Sequence, residues 1–167
     1  MGDRRIPLGK ARIMHEGRDV TIVSMSYMSV EAIHAVEYLE AAGISCELID
    51  LRTIKPLDWD TIYCSVEKTG RLLALDIGSE LCSVAGEIVA RVATERFGFL
   101  KQAPCRLAMP DCPVPTSPAL TAGYYKRAED IVDTVGGMLG KDLNVNALRL
   151  GRTTPHDVPG DWFKGPF

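Results

Sequence analysis

The sequence is poor in the features that mark a specialised chemistry. Its 167 residues carry 7% aromatic side chains, three histidines and five cysteines, with no Cys-x-x-Cys pair. There is no excess of positive charge, since 19 Lys and Arg stand against 22 Asp and Glu and the basic residues are scattered singly. A nucleic-acid or anionic-lipid surface needs a basic patch, so neither nucleic acid nor membrane is expected as a partner. No apolar run approaches the roughly 20 residues that span a bilayer. The start, Met1-Gly2-Asp3-Arg4-Arg5, is not followed by the apolar core of a secretory signal, and a cytoplasmic location is expected. Cys46, Cys64, Cys82, Cys105 and Cys112 are odd in number and far from any histidine at ligand spacing, which reads as reduced thiols packed as small hydrophobes. A hydrolase elbow Gly-x-Ser-x-Gly, a phosphate-binding P-loop and a dinucleotide fingerprint Gly-x-Gly-x-x-Gly are all missing.

What is present is 46% hydrophobic residues, enough for one domain with a real core. Apolar, β-rich runs alternate with amphipathic stretches, the pattern of an α/β fold. Ala11 to His15 and Val20 to Met25 flank Glu16-Gly17-Arg18-Asp19, a turn that would join an antiparallel pair. From Ser29 as N-cap, Val30, Ile33, Val36 and Leu39 recur at helical spacing up to Gly43. Ile44 to Ile49 reads as a strand, Asp58 caps a helix over Trp59 to Lys68 stopped by Gly70, and Arg71 to Leu75 is a strand. A loop from Asp76 to Cys82 leads to Ser83, the cap of a helix that runs through Phe97. Cys105 to Met109 is the last strand and Arg127 to Leu139 the last helix. The expected architecture is a three-layer α/β domain over residues 1–140: a mostly parallel five-stranded sheet with one antiparallel edge strand and helices on both faces.

Two segments fall outside that grammar. Pro110 to Leu120 holds four prolines, each fixing its own φ and lacking an N–H, so the stretch is extended and unfit for a sheet interior. Following the last parallel strand, it would cross the carboxyl edge of the sheet and shape a subunit contact, with Asp111 and Thr116 capping its backbone. Residues 141–167 carry too many glycines and prolines for a regular element, yet Leu148, Leu150, Trp162, Phe163 and Phe167 are too apolar for a solvated tail. They read as an irregular arm lying on the domain or on a partner.

Ligands of parallel α/β sheets bind beyond the carboxyl ends of the strands. There Asp76 would serve as a phosphoacceptor or metal ligand, or would cap the following loop or helix through backbone N–H groups. Gly78, Ser79 and Ser83 ahead of a helix would cradle a small anion. Cys82 near a helix N-terminus is a candidate reactive thiol, and a redox role through Cys82 or Cys112 stays open. His15, His34 and His156 are too scattered for a metal site, and no catalytic or metal-binding residue is assigned.

Several longer stretches resemble a known family: Ile6 to Arg12, Asp19 to Val23, Glu47 to Asp58, Val66 to Arg71 and Pro110 to Pro115. They are similar to the C-terminal domain of beta subunits of thiamine-diphosphate-dependent 2-oxo acid dehydrogenases of the pyruvate, branched-chain and acetoin types. That domain has the transketolase C-terminal-like fold, and the resemblance spans about residues 6 to 139. It implies that thiamine diphosphate and magnesium belong to other parts of the parent enzyme and that this chain holds no cofactor. It implies a role in joining beta subunits and docking the acyltransferase core, with an alpha subunit and an N-terminal pyrimidine-binding domain as further partners. Pro110, Asp111, Pro113, Pro115, Trp162, Phe163 and Phe167 are the expected interface residues, and a homodimer the expected state. The chain departs from the family at Gly78 to Gly86, where an Arg-Thr-Gly-Gly type of loop is usual. Its start falls near the family's domain crossing, and the resemblance leads one to expect an excised piece or a split gene product. The alternative is a free-standing α/β module that binds a small anion or nucleotide at residues 76–83.

Overall fold

The computed structural model describes residues 5–152 and 154–158. Five strands form one sheet: β1 (Arg12–His15), β2 (Val20–Ser24), β3 (Cys46–Asp50), β4 (Leu72–Ser79) and β5 (Cys105–Met109). Their order is β1-β3-β2-β4-β5, with β1 antiparallel to β3 and all other pairs parallel. The helices are α1 (Tyr27–Ala41), α2 (Trp59–Thr69), α3 (Val84–Glu95), α4 (Pro118–Thr121), α5 (Ala128–Leu139) and α6 (Asn146–Leu150). The expected α/β architecture with helices on both faces is what the chain forms.

Alternation along the strands builds two cores. Val20, Ile22, Leu48, Leu73 and Leu75 point to one face, where Met28, Ala32, Ala35 and Leu39 of α1 and Ile131, Val132 and Val135 of α5 cover them. Val23, Ile49, Leu72 and Ala74 point the other way, under Ile62 and Val66 of α2 and Ala85, Ile88 and Val92 of α3. Strands buried on both faces need no polar alternation, which is why β2 and β3 are buried throughout.

The hairpin expected at residues 16–19 does not form. β3 inserts between β1 and β2, so the link crosses the start of β3, where Arg18 and Asp19 donate their N–H groups to Ser45 O at 3.0 and 2.8 Å. The first helix starts earlier than Ser29, which lies inside α1 with its hydroxyl 2.9 Å from Ser24 Oγ. Consequently its buried face is turned: Met28, Ala32, Ala35, Val36 and Leu39 are buried, whereas Val30 and Ile33 are only half-buried. The segment from Asp76 is not a loop at first, because β4 continues to Ser79 through a bulge in which Leu75 pairs with Leu107 and Ser79 with Met109. The helix capped by Ser83 ends at Glu95, and a 3-10 turn takes Phe97–Phe99. Two further helices arise where none was expected: α4 at the end of the proline stretch, with Pro118 in its first turn, and α6 beyond Gly140.

The α2 start follows the sequence. Asp58 accepts from Thr61 N at 3.4 Å and from Thr61 Oγ1 at 2.8 Å, and its other task is to tie down the chain before β1 by accepting from Ala11 N at 3.0 Å. Burial alone would raise this carboxyl; the Ala11 and Thr61 donors and the Lys10 charge instead hold it below its ordinary value. A depressed folded-state pKa contributes stability above the ordinary value of 3.8 that is lost as pH falls through the folded value. Asp58→Ala is therefore expected to cost about 1–2 kcal/mol in urea unfolding at neutral pH, with the gap to wild type closing as pH falls below the ordinary value of 3.8.

Candidate functional site

Every crossover in the parallel part of the sheet brings its loop to the carboxyl edge, and the local backbone is strained there. Among the described non-glycine residues only Ser26, Arg52 and Cys82 have left-handed φ, at 53°, 59° and 57°, and all three lie in the loops that leave β2, β3 and β4. Such conformations cost on the order of 1–3 kcal/mol each. Ser26 and Arg52 line a cavity of ≈ 330 Å³ with Met25, Asp50 and Ile54. Its carboxylate is already engaged: Asp50 accepts from the Ser29 hydroxyl at 3.3 Å and pairs with Arg52 Nε at 3.0 Å.

The residues from Asp76 to Ser83 are equally occupied by the chain itself. Asp76 Oδ1 accepts from Gly78 N at 2.9 Å, closing the bulge, and Oδ2 accepts from Ala85 N at 3.3 Å in the first turn of α3. Ser83 Oγ accepts from Gly86 N at 2.9 Å. Gly78 and Ser79 sit at the end of β4, and the Ser79 hydroxyl donates to Asp111 Oδ1 at 2.9 Å. That bond joins the β4 end to the proline stretch through the Asp111 side chain, which thus serves a hydroxyl where a backbone cap was expected.

The carboxyl edge is notable for exposed apolar surface. Ile54, Ile77, Leu81, Val114 and Leu120 are exposed, the last two at 61% and 70%, and they come from three stretches: Ile54 after β3, Ile77 and Leu81 at and beyond the end of β4, and Val114 and Leu120 between β5 and α5. Pro110 and Pro115 are half-buried, while Asp111 and Pro113 are exposed beside Val114. Trp162, Phe163 and Phe167 lie outside the described residues.

Sequence reasoning missed a buried polar cluster behind this edge. Arg127 at the start of α5 donates from Nη1 to Glu31 Oε1 of α1 at 3.0 Å, with both side chains 6% exposed. Glu31 also accepts from the Tyr27 hydroxyl at 2.6 Å and from Ala128 N at 2.9 Å, and the Arg127 guanidinium contacts the Tyr27 hydroxyl. Burial pushes the Glu31 carboxyl up, opposed by the Ala128 N–H and the Arg152 charge. The available signal was positional: Glu31 lies three residues after Met28 and four before Ala35, on the buried stripe, where a carboxylate needs a cation.

Among the described residues no helix is long and apolar enough to cross a membrane, and no group of three or more His, Cys, Asp or Glu could hold a metal ion. Residues 9–131 match the family model described as transketolase, C-terminal domain. The beta subunit of acetoin:2,6-dichlorophenolindophenol oxidoreductase from Cupriavidus necator is 43% identical over 130 residues, which cover 78% of this chain and 38% of that protein. The mitochondrial pyruvate dehydrogenase E1 component subunit beta of Pisum sativum is 43% identical over 127 residues, covering 76% of this chain and 35% of that protein. The chain thus spans well under half the length of the curated relatives it matches. A solved structure described as a split gene transketolase, inactive beta4 tetramer, is 27% identical, covers 83% of this chain and 45% of that one, and superposes with a TM-score of 0.71. With the β1-β3-β2-β4-β5 sheet and the matched residues together, the chain belongs to the transketolase C-terminal domain family, in the company of beta subunits of pyruvate and acetoin dehydrogenases.

Proposed function

We propose that this chain is a non-catalytic assembly and docking domain of a 2-oxo acid dehydrogenase beta subunit, and that it self-associates through the carboxyl edge of its sheet. The observation that carries the reading is the set of exposed apolar side chains at that edge, Ile54, Ile77, Leu81, Val114 and Leu120, contributed by the stretches that follow β3, β4 and β5. Exposed apolar patches mark interaction sites, and an isologous contact uses the same patch on both subunits. The relatives' names support the parent enzyme class, and the tetramer named for the solved relative supports self-association. The remaining partners would be an alpha subunit, an N-terminal pyrimidine-binding domain and the acyltransferase core. Five free cysteines suit a reducing compartment such as the cytoplasm.

Thiamine diphosphate with magnesium, the cofactor of the parent class, does not fit the residues present at this edge. Magnesium is held by oxygen ligands gathered at one point, whereas both oxygens of Asp76 accept from Gly78 and Ala85, those of Asp50 are held by Ser29 and Arg52, and among the described residues no group of three or more His, Cys, Asp or Glu could hold a metal ion. Light scattering is expected to return twice the monomer mass at micromolar concentration, and Leu81→Asp combined with Leu120→Asp to return the monomer. Titration calorimetry with thiamine diphosphate and magnesium is expected to show no heat of binding. A monomeric wild type overturns the assembly reading, and micromolar cofactor affinity overturns the non-catalytic one.

A further inference from the structure

After α6 the chain turns back along α5 and reaches the carboxyl edge. Arg152 Nη2 pairs with Glu129 Oε2 in the first turn of α5 at 2.7 Å. Beyond it, Arg127 Nη2 donates to two carbonyls of this returning segment, His156 O at 2.7 Å and Val158 O at 2.9 Å. The His156 ring then reaches α4: Nε2 lies 2.9 Å from Pro118 O and 2.8 Å from Thr121 Oγ1. Asp157 Oδ2 accepts from the same Thr121 hydroxyl at 3.4 Å.

α4 has little else to hold it. It is a single turn of four residues with no side-chain cap, preceded by a stretch in which Pro110, Pro113 and Pro115 have no N–H to donate. Of its residues only Thr121 is buried, at 4% exposure, while Leu120 beside it faces outward at 70%. The returning segment therefore grips the inward side of the turn whose outward side belongs to the apolar face.

We propose that residues 154–158 are a strap, anchored on the buried Arg127 guanidinium, that fixes α4 through His156 and so sets how Val114 and Leu120 are presented on the assembly face. The inference rests on the self-association reading for its second half only. The strap binds by two main-chain carbonyls, the His156 ring nitrogen and the Asp157 carboxylate, and it supplies no residue of either hydrophobic core. A partner that competes for Arg127 or displaces the strap would loosen the face, and a partner that packs over it would tighten the face.

The test uses the full 167-residue chain and the variants His156→Ala and His156→Gln, the latter able to present an amide N–H toward Pro118 O. Hydrogen exchange by mass spectrometry on the peptide spanning 117–127 reads α4 directly, and sedimentation velocity reads self-association. The expected result is at least about tenfold faster exchange in that peptide for His156→Ala. Exchange in β2 and β3 should stay unchanged, self-association should weaken by a similar factor, and His156→Gln should restore both. Unchanged exchange at α4 overturns the strap. Faster exchange with unaltered self-association overturns its control of the face. A wild type that is monomeric instead overturns the assembly reading, and exchange at α4 still decides whether the strap exists.

Discussion

Arg127→Met is expected to be among the most damaging single changes in the protein, costing about 3–5 kcal/mol of unfolding free energy at neutral pH. The substitution keeps the bulk of the stem but leaves the Glu31 carboxylate buried without its cation, and it strips Tyr27, His156 O and Val158 O of a shared donor. Each exposed cation elsewhere is worth far less, as with the i,i+4 pair Arg91 and Glu95, where both side chains are 40% exposed. The deficit should shrink with falling pH. Burial raises the Glu31 carboxyl above its ordinary value of 4.5, and losing the cation raises it further, so the folded variant takes up a proton before the unfolded chain does. A group with a raised folded-state pKa contributes most below its unfolded value and loses that contribution as pH rises through the folded one. Urea unfolding followed by tryptophan fluorescence at about pH 7.5 and about pH 5 tests both the size and the sign. Glu31→Leu combined with Arg127→Met should recover most of the loss, because an apolar pair needs no compensation. A loss under about 1 kcal/mol for Arg127→Met would mean that the pair is solvated in solution.

Gly17→Ala is expected to cost about 3 kcal/mol or more, at the upper end of what overpacking does. A Cβ at this position would overlap the Cys46 carbonyl carbon and the Glu47 nitrogen, both main-chain atoms at the start of β3, which cannot swing aside as a side chain can. The close approach follows from topology: with β3 between β1 and β2, residues 16–19 must pass over the start of β3. The Gly17 N–H is also used, donating to Glu47 Oε2 at 3.3 Å, and that carboxylate in turn pairs with Lys68. Gly43→Ala provides the control. Its φ is +74° and nothing lies within 4 Å of a Cβ there, so only backbone strain of about 1–2 kcal/mol applies. Thermal unfolding of the two variants side by side should give the larger shift for Gly17→Ala, and equal shifts would show that the link does not lie against β3.

Where local chemistry decides, the reading from sequence matches the molecule. Cys105–Met109 is the strand expected, Asp58 and Gly70 bound α2, and Ser83 caps α3, because side-chain caps and left-handed glycines act over three or four residues. The start of α1 was not legible for a related reason. Ser29 has the side chain of an N-cap, and what holds it inside the helix instead is the buried Ser24 hydroxyl and Asp50 carboxylate that it meets on folding. The extension of β4 past Asp76 depends on pairing with Met109, thirty-odd residues away, and α4 and α6 are single turns too short to leave a periodic signal.

The candidate site divides in the same way. The proline stretch, its place after the last parallel strand and its exposed surface follow from residue types alone, since proline cannot supply the N–H groups a sheet interior needs. The exposed apolar side chains brought to one edge by the stretches after β3, β4 and β5, the buried Glu31–Arg127 pair and the contact of His156 with α4 are properties of the tertiary structure. By itself the sequence determined which segments become strands and helices and which of their faces are apolar, because periodicity and caps are local. Only the tertiary structure decided that β3 enters between β1 and β2, that Glu31 finds Arg127 ninety-six residues later, and that the chain's return secures α4. Strand order and buried ion pairs join residues far apart in the chain, and they are selected by the burial and hydrogen bonding of the whole domain, which no local pattern encodes.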